Sequence, residues 1–122
     1  MADNYKFKRV LLKLSGEALA GPDGKGLDEN LVAQIAGEVK KIVADGVQVA
    51  IVIGGGNIIR GASQENMNRE NADYMGMLAT MINSMGLNEG FRQAGVKSRV
   101  LSAIPMERIC DPYYIRDAKK KN

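Results

Sequence analysis

The sequence predicts an α/β fold with a mainly parallel sheet that helices cover on both faces. Three observations predict it: two short apolar segments that each end at glycine, a helical repeat between them, and a second helical repeat followed by another strand-like segment. A strand, a helix and a second parallel strand form a crossover unit, and its repetition buries a sheet on both faces. The composition, 45% apolar and 25% charged over 122 residues, is that of a globular chain.

Segments rich in Val, Leu and Ile predict the strands. The first two are residues 8–14 (KRVLLKL), which stop at Ser15-Gly16, and residues 47–53 (VQVAIVI), which stop at Gly54-Gly55-Gly56. Apolar, β-branched runs bounded by glycine are typical of buried strands. Residues 97–103 (KSRVLSA) predict a third strand.

Helical spacing of apolar residues predicts the helix between the first two strands. Asp28 is its predicted N-cap and Gly46 its stop, because an acidic or amide side chain before the first turn and a glycine after the last are common helix boundaries. A further helix is predicted to open at Asp111-Pro112.

The second long helix is predicted from about Ala72 to Ala94, with Gly95 after it. It is apolar on almost all sides, and such helices are buried on two sides. We expect one side to face the sheet and the other a partner subunit or, alternatively, sequence that follows Asn122. Three internal glycines each cost roughly 1 kcal/mol of helix propensity relative to alanine, so we expect close backbone packing at Gly76, Gly86 and Gly90.

Composition excludes several classes of site. The chain has no His and a single Cys, Cys110, so imidazole bases, zinc sites that need His and internal disulfides are excluded. The net charge of +3 comes from Lys119–Lys121, and four Tyr and two Phe are few aromatics for a nucleic-acid binder. No apolar run approaches the roughly 20 residues of a membrane span, and no signal peptide is evident. We therefore expect a soluble cytoplasmic chain that binds neither nucleic acid nor membrane.

A phosphate-binding site is predicted where the first two strands end. Ligands of parallel sheets bind beyond the carboxyl ends of the strands, and glycines allow backbone N–H groups to approach an anion. Lys13 would add a positive charge, and residues 57–60 would add a helix N-terminus and the Arg60 guanidinium. Neither the Walker A pattern nor the dinucleotide glycine pattern occurs, since Ile59 stands where the last glycine of the latter belongs. The alternative is that the glycines form a tight strand exit and that Lys13 and Arg60 are surface charges.

Two features of the second long helix have alternative interpretations. Asp73 is either a carboxylate that caps the helix or lies in its first turn, or an acceptor of hydrogen bonds from sugar hydroxyls. The stripe formed by Met77, Met81 and Met85 is interpreted as core or interface rather than a cofactor site.

Three segments carry a family resemblance: KLSGEAL (residues 13–19), VIGGGNIIRG (52–61) and ADYMGMLAT (72–80), followed by SAIPMERICDPY. They resemble the uridylate (UMP) kinase family of the amino acid kinase superfamily; the first two are shared across the superfamily, and DYMGMLAT narrows the match. The resemblance implies a three-layer α/β/α sandwich with a mainly parallel sheet, the amino acid kinase fold. It also implies a homohexamer, built through the Met-rich helix, that reversibly transfers the γ-phosphoryl group of Mg-ATP to UMP, giving UDP and ADP in pyrimidine nucleotide biosynthesis.

The resemblance also implies roles for individual residues. Lys13 would be catalytic by offsetting charge on the transferred phosphoryl group, and the ATP-binding set would be Lys13, Leu14, Ser15, Gly16, Gly56 and Arg60. Gly55 and Asp73 would bind UMP, Asp73 through the ribose. Allosteric activation by GTP would involve Gly21, Pro22, Asp23, Gly24, Lys25, Gly26 and Arg99, and UTP would be an inhibitor. No residue is assigned to a metal.

The resemblance covers essentially the whole chain but only about the first half of the family's length. We therefore expect residues 1–122 to be the N-terminal, UMP-binding part of an amino acid kinase domain, incomplete at its C-terminal side, with the ATP-binding part absent. Two alternatives stay open: a truncated, non-catalytic UMP-binding or assembly module, and another amino acid kinase whose acceptor is a carboxylate.

Overall fold

The computed structural model describes residues 8–59, 67–102 and the backbone of 111–112. Within these residues the order of elements is β1 (Arg9–Leu14), a short 3-10 helix (Gly16–Leu19), α1 (Glu29–Ala44), β2 (Gln48–Ile53), α2 (Arg69–Ala94), β3 (Leu101–Ser102) and β4 (Asp111–Pro112). The two predicted long helices and the first two predicted strands are confirmed. Cys110 and Lys119–Lys121 lie outside the described residues.

β1 and β2 pair in parallel, in register from Arg9 opposite Gln48 to Leu14 opposite Ile53. Alternate side chains of the pair, such as Leu12 and Ile51, pack against the buried core. Both helices contribute to that core, whose buried members are Leu19, Val32, Ala36, Val39, Ile53, Leu87 and Phe91. On the opposite face of the pair, within the described part of the chain, Leu11 is 59% and Val52 55% exposed.

The ends of α1 follow the predicted signals. The Asp28 carboxylate accepts hydrogen bonds from the backbone N–H groups of Asn30 at 2.8 Å and Leu31 at 3.2 Å. These are two of the N–H groups that a helix leaves unpaired at its start. At the other end Gly46 has a φ of 90°, a left-handed conformation that glycine adopts without steric cost. Both predicted boundaries of α1 are confirmed.

The start of α2 corrects one interpretation of Asp73. The helix begins at Arg69, and its N-cap is Asn68, whose side chain accepts from the N–H groups of Glu70 at 2.9 Å and Asn71 at 3.3 Å. Asp73 is therefore the fifth helical residue, and the expectation that it caps the helix or lies in its first turn is wrong. The predicted C-terminal boundary is confirmed, because Gly95 follows the helix with a φ of 82°.

Close packing accounts for two of the three internal glycines of α2. A Cβ on Gly90 would lie 2.5 Å from Cγ1 of Val32 in α1, and one on Gly86 would lie 2.8 Å from Cδ1 of Leu27. Among the described residues, nothing lies within 4 Å of a Cβ at Gly76. The expected compensation by close contact therefore holds at Gly86 and Gly90.

The third strand is much shorter than predicted. Of the described residues 97–102, Leu101–Ser102 is a strand, and it pairs in parallel with Asp111–Pro112. The helix predicted to open at Asp111-Pro112 therefore does not begin there, and residues 113–122, over which it would continue, lie outside the described residues. Residues 97–99 are exposed and polar, and Ser98 Oγ donates to Oδ1 of Asn88 on α2 at 2.5 Å. Residues 97–99 line a groove of about 1100 Å³. Val49 and Ile51 of β2 line the same groove.

Candidate functional site

The loops that follow β1 and β2 meet at the carboxyl edge of the sheet, as predicted. The backbone N–H of Gly54 donates to the Leu14 carbonyl oxygen at 3.0 Å. A Cβ on Gly16 would lie only 2.7 Å from the Gly54 carbonyl oxygen, so the absence of a side chain there permits the contact. The predicted site is thus one place in the fold, built from two loops.

The loop Gly54–Gly56, called here the glycine loop, lies directly against α2. A Cβ on Gly55 would be 2.7 Å from the Ala79 Cβ and 3.3 Å from the Thr80 nitrogen, so only glycine fits without displacing the helix. Among the residues that the structure describes, no acceptor takes the backbone N–H of Gly55 or Gly56. Unpaired N–H groups in a loop without side chains are suited to an anion such as phosphate.

The segment after the glycine loop corrects one part of the sequence prediction. Ile58 and Ile59 donate their N–H groups to the Gly55 carbonyl oxygen, each at 3.0 Å, and form a turn. The predicted helix N-terminus over residues 57–60 is not present in the described part of this segment. Arg60, predicted to bind ATP, lies outside the described residues.

The β1 side of the site carries Lys13 at the end of its strand. Lys13 is exposed and lies opposite Val52 on the face of the strand pair that points away from the core, whereas Leu14 is half-buried against the core. Ser15 Oγ accepts from the Glu17 N–H at 3.2 Å, so this hydroxyl caps the short 3-10 helix. The Glu17 carboxylate, which no sequence pattern indicated, also lies beside the glycine loop, with Oε1 3.7 Å from a Cβ placed on Gly56.

Asp73 is exposed in the second turn of α2 and makes no hydrogen bond or ion pair with any described residue. It precedes Thr80 by two helical turns on the same side of the helix, a separation of roughly 10 Å along the axis. The glycine loop contacts α2 at the Ala79 Cβ and at the backbone nitrogen of Thr80. Ala79 follows Asp73 by six residues and therefore lies roughly 120° around the helix axis from it.

The predicted effector residues are in two places. The loop 21–26 is a series of turns with a φ of 72° at Gly24 and 66° at Gly26, and the Gly26 N–H donates to the Asn57 carbonyl oxygen at 3.0 Å. Lys25 is exposed, and its N–H donates to Oδ1 of Asp23 at 3.1 Å. Arg99 instead lines the groove beside the C-terminal part of α2 and follows Ser98, which contacts Asn88, a residue roughly 22 Å along the helix axis from Asp73.

Two buried asparagines beside the glycine loop escaped the sequence analysis. Asn57 is 3% and Asn83 0% exposed. The Asn57 amide donates to the Asn83 side-chain oxygen at 2.9 Å, and the Asn83 amide donates to the Asn57 side-chain oxygen at 2.7 Å. The available signal was the amide side chain at position 83 within the mostly apolar run ATMINSMGL.

The described residues add two observations on the class of site. They contain no group of three or more His, Cys, Asp or Glu side chains placed to hold a metal ion. In the same part of the chain, neither helix has an apolar stretch of the length that crossing a membrane requires.

Comparison with known proteins gives a consistent family match. The family model described as amino acid kinase family matches residues 8–121. A uridylate kinase of Rickettsia bellii is 51% identical over 122 aligned residues, which cover 98% of this chain and 51% of that protein. The chain thus spans about half the length of this curated relative.

Solved structures agree with the sequence comparison. A UMP kinase of Bacillus anthracis superposes with a TM-score of 0.86 at 41% identity, covering 92% of this chain and 47% of that one. A UMP kinase of Ureaplasma parvum also gives a TM-score of 0.86, at 34% identity, covering 94% of this chain and 49% of that one. An aspartate kinase of Synechocystis, at 12% identity and a TM-score of 0.64 over 93% of this chain and 20% of its own, shares the fold.

Proposed function

This chain belongs to the amino acid kinase family, and on that premise we propose that it is the acceptor-binding, N-terminal part of a UMP kinase. The complete enzyme would reversibly transfer the γ-phosphoryl group of Mg-ATP to UMP, giving UDP and ADP in pyrimidine nucleotide biosynthesis in the cytoplasm. The relatives named uridylate kinase and UMP kinase support this reaction over transfer to a carboxylate.

One observation carries the proposal: the loops after β1 and β2 touch, and the N–H groups of Gly55 and Gly56 have no acceptor among the described residues. Phosphoryl transfer depends on positioning and on stabilising negative charge rather than on a strong base. The backbone N–H groups of the glycine loop and the Lys13 ammonium would supply the positioning and the charge stabilisation. The reaction therefore does not require a His, which this chain lacks.

The proposed roles follow the position of each group. Gly55 and Asp73 would hold UMP, with the phosphate at the glycine loop and the ribose hydroxyls at the Asp73 carboxylate. Lys13 would offset charge on the transferred phosphoryl group. Leu14, Ser15, Gly16, Gly56 and Arg60 would contribute to ATP binding.

The donor side needs Mg-ATP, and the chain's own residues fit its phosphates through the N–H groups of the glycine loop. When bound, Mg²⁺ neutralises phosphate charge, and in such sites phosphates, waters and one or two carboxylates hold it. We assign no residue of this chain to the ion.

Assembly and regulation are part of the proposal. Within the described residues, α2 carries a contiguous exposed apolar stripe, called here the α2 stripe: Tyr74, Met75, Leu78, Ile82 and Met85. Apolar residues at alternating spacings of three and four form the seam of paired helices, so the stripe supports a subunit contact within a hexamer. GTP activation and UTP inhibition through the loop 21–26 and Arg99 are proposed from the family resemblance.

The test is UDP formation from UMP and Mg-ATP by this chain, followed by coupled assay, with calorimetric UMP binding measured in parallel. We expect UMP to bind with selectivity over CMP and AMP. If the wild-type chain forms UDP and Lys13→Ala does not, the chain alone is sufficient for catalysis. UMP binding without UDP formation would support the non-catalytic module. Absence of UMP binding would overturn the proposal, and an acidic amino acid as acceptor would favour the carboxylate alternative.

A further inference from the structure

We propose that Asn57 and Asn83 are a positioning pair that sets the geometry of the glycine loop and attaches the loop 21–26 to it. The inference rests on the proposed function, because it assigns a purpose to residues around the same nucleotide site. Neither residue is placed in contact with substrate; both act through the backbone that would bind it.

The pair uses every amide hydrogen it has. Besides their mutual bonds, the Asn57 amide donates to the Gly26 carbonyl oxygen at 2.7 Å and the Asn83 amide donates to the Gly54 carbonyl oxygen at 2.7 Å. The Gly26 N–H returns a bond to the Asn57 carbonyl oxygen at 3.0 Å. The pair therefore connects α2, the glycine loop and the loop 21–26 in one network.

The chemistry of the site requires two amides. Reversing either side chain would place its oxygen against a backbone carbonyl oxygen, so the two carbonyls determine the orientation of both. A leucine of similar volume would leave those carbonyls unpaired in the interior, and an aspartate would add a buried charge with one oxygen facing carbonyl acceptors. A buried network of this kind is stable only when every member is paired.

The β1 loop is shaped around the same pair. A Cβ on Gly16 would overlap the Asn57 side-chain oxygen and lie 3.0 Å from the Asn83 amide nitrogen. Gly16 is buried there, so the Ser15-Gly16 loop rests on the pair while the glycine loop is hydrogen-bonded to it. The Ser15-Gly16 loop and the glycine loop, which together form the predicted phosphate site, thus both take their position from the two asparagines.

The loop 21–26 depends on the pair most directly. Its last residue is attached through both backbone groups to Asn57, and Asn83 holds the Asn57 side chain in place. Any ligand that orders or displaces this loop therefore acts on the residue that follows the glycine loop. The pair supplies a physical connection between the predicted effector loop and the nucleotide site.

The experiment compares the wild-type chain with Asn83→Asp, which keeps the shape and removes the amide donors, and with Asn30→Asp as an exposed matched control. UMP affinity is measured by calorimetry and the folded fraction by urea unfolding, at pH 7.5 and at pH 5. Relative to wild type at each pH, we expect Asn83→Asp to weaken UMP binding at least tenfold at pH 7.5. The loss should be smaller at pH 5, where a protonated carboxyl can donate one bond, and Asn30→Asp should leave UMP affinity unchanged at both pH values.

A second readout needs no nucleotide. In Asn83→Asp, the Gly26 amide should exchange with deuterium at least tenfold faster than in wild type, beyond any change at the Val32 amide of α1, which bonds to the Asp28 carbonyl. Failure of wild type to bind UMP would defeat the proposed function alone, and the Gly26 exchange would still decide on the pair. A folded Asn83→Asp chain with unchanged UMP affinity, or with unchanged Gly26 exchange, would overturn the inference. If that variant does not fold, Asn57→Ser replaces it with the same criteria.

Discussion

The position of Asp73 in α2 distinguishes a helix-capping role of its carboxylate from a ligand-binding role. It does not cap the helix, and it contacts no described hydrogen-bonding partner, so its carboxylate has no structural task that the described residues show. We expect Asp73→Ala to weaken UMP binding about tenfold or more, since a hydrogen bond to a charged group contributes about 1.5–3 kcal/mol.

The same change should leave the free energy of unfolding within about 0.5 kcal/mol, as for exposed positions generally. Calorimetric UMP titration and urea unfolding measure the two quantities. Glu70→Ala is the control, because it removes another exposed carboxylate three residues earlier on the same helix. Unchanged UMP affinity in Asp73→Ala would remove this residue from the proposed site.

Glu89 offers a test of local electrostatics away from the site. Hydrogen bonds from Arg92 and Gln93 lower the pKa of its carboxyl from 4.5 to about 2, and the Arg92 guanidinium donates to both carboxylate oxygens, at 2.8 and 2.7 Å. A carboxyl with a depressed pKa contributes stability above its ordinary pKa, and that contribution is lost as the pH falls from about 4.5 towards 2.

We expect Arg92→Ala to return the pKa of Glu89 towards 4.5, because it removes the donor with the largest effect. The measurement is a carboxyl-carbon NMR titration of Glu89 in both chains. Since both side chains are exposed and the charges are screened by water, the stability of the folded chain at pH 7 should change little. A Glu89 titration that stays near pH 2 in the variant would contradict the assignment to Arg92.

The individual residues of the site could be predicted only in part. Lys13, Gly16 and the glycine loop follow from the rule that ligands bind at the carboxyl ends of parallel strands. Asn57, in a turn, and Asn83, in an apolar stretch of α2, could not be predicted as a pair, because the role of each amide depends on the partner that the tertiary fold brings to it.

At the scale of elements, the packing of α1 against α2 depends on close approach at Gly90. We expect Gly90→Ala to destabilise the fold by about 1–3 kcal/mol, since its Cβ would lie 2.5 Å from Cγ1 of Val32 and overpacking costs that much. Gly37→Ala is the matched control in α1, where nothing described lies within 4 Å of the new Cβ.

The control should instead stabilise the fold by roughly 0.5–1 kcal/mol, through helix propensity alone. Urea unfolding of the three chains measures both effects. If Gly90→Ala stabilised the fold, α1 and α2 could move apart without cost. That result would contradict the close contact between Gly90 and Val32.

The elements themselves show where sequence patterns stop being informative. The boundaries of α1 were predictable because Asp28 and Gly46 act within one turn of the backbone. Residues 97–103 carry a strand-like composition, yet most of them are not in a strand, because pairing requires a neighbouring strand that composition does not specify. Long-range pairing, unlike capping, is a property of the whole chain.

At the scale of the whole molecule, apolar residues on almost all sides of α2 predicted that this helix is buried on two sides. The structure shows one side against α1, the short 3-10 helix and the glycine loop, and the α2 stripe on the other side exposed among the described residues. A stripe of five large apolar side chains in water is typical of an interaction surface.

If the α2 stripe is the proposed subunit contact, Ile82→Lys places a charge at its centre. We expect the wild-type chain to self-associate and Ile82→Lys to raise the dissociation constant at least tenfold, because an unpaired charge is costly to remove from water. Sedimentation equilibrium over a range of concentrations measures both. Val43→Lys is the control, since Val43 is also an exposed apolar residue but lies on α1 outside the stripe, and it should leave association unchanged. A monomeric wild-type chain, or equal association of both variants, would show that some other surface or none forms the contact.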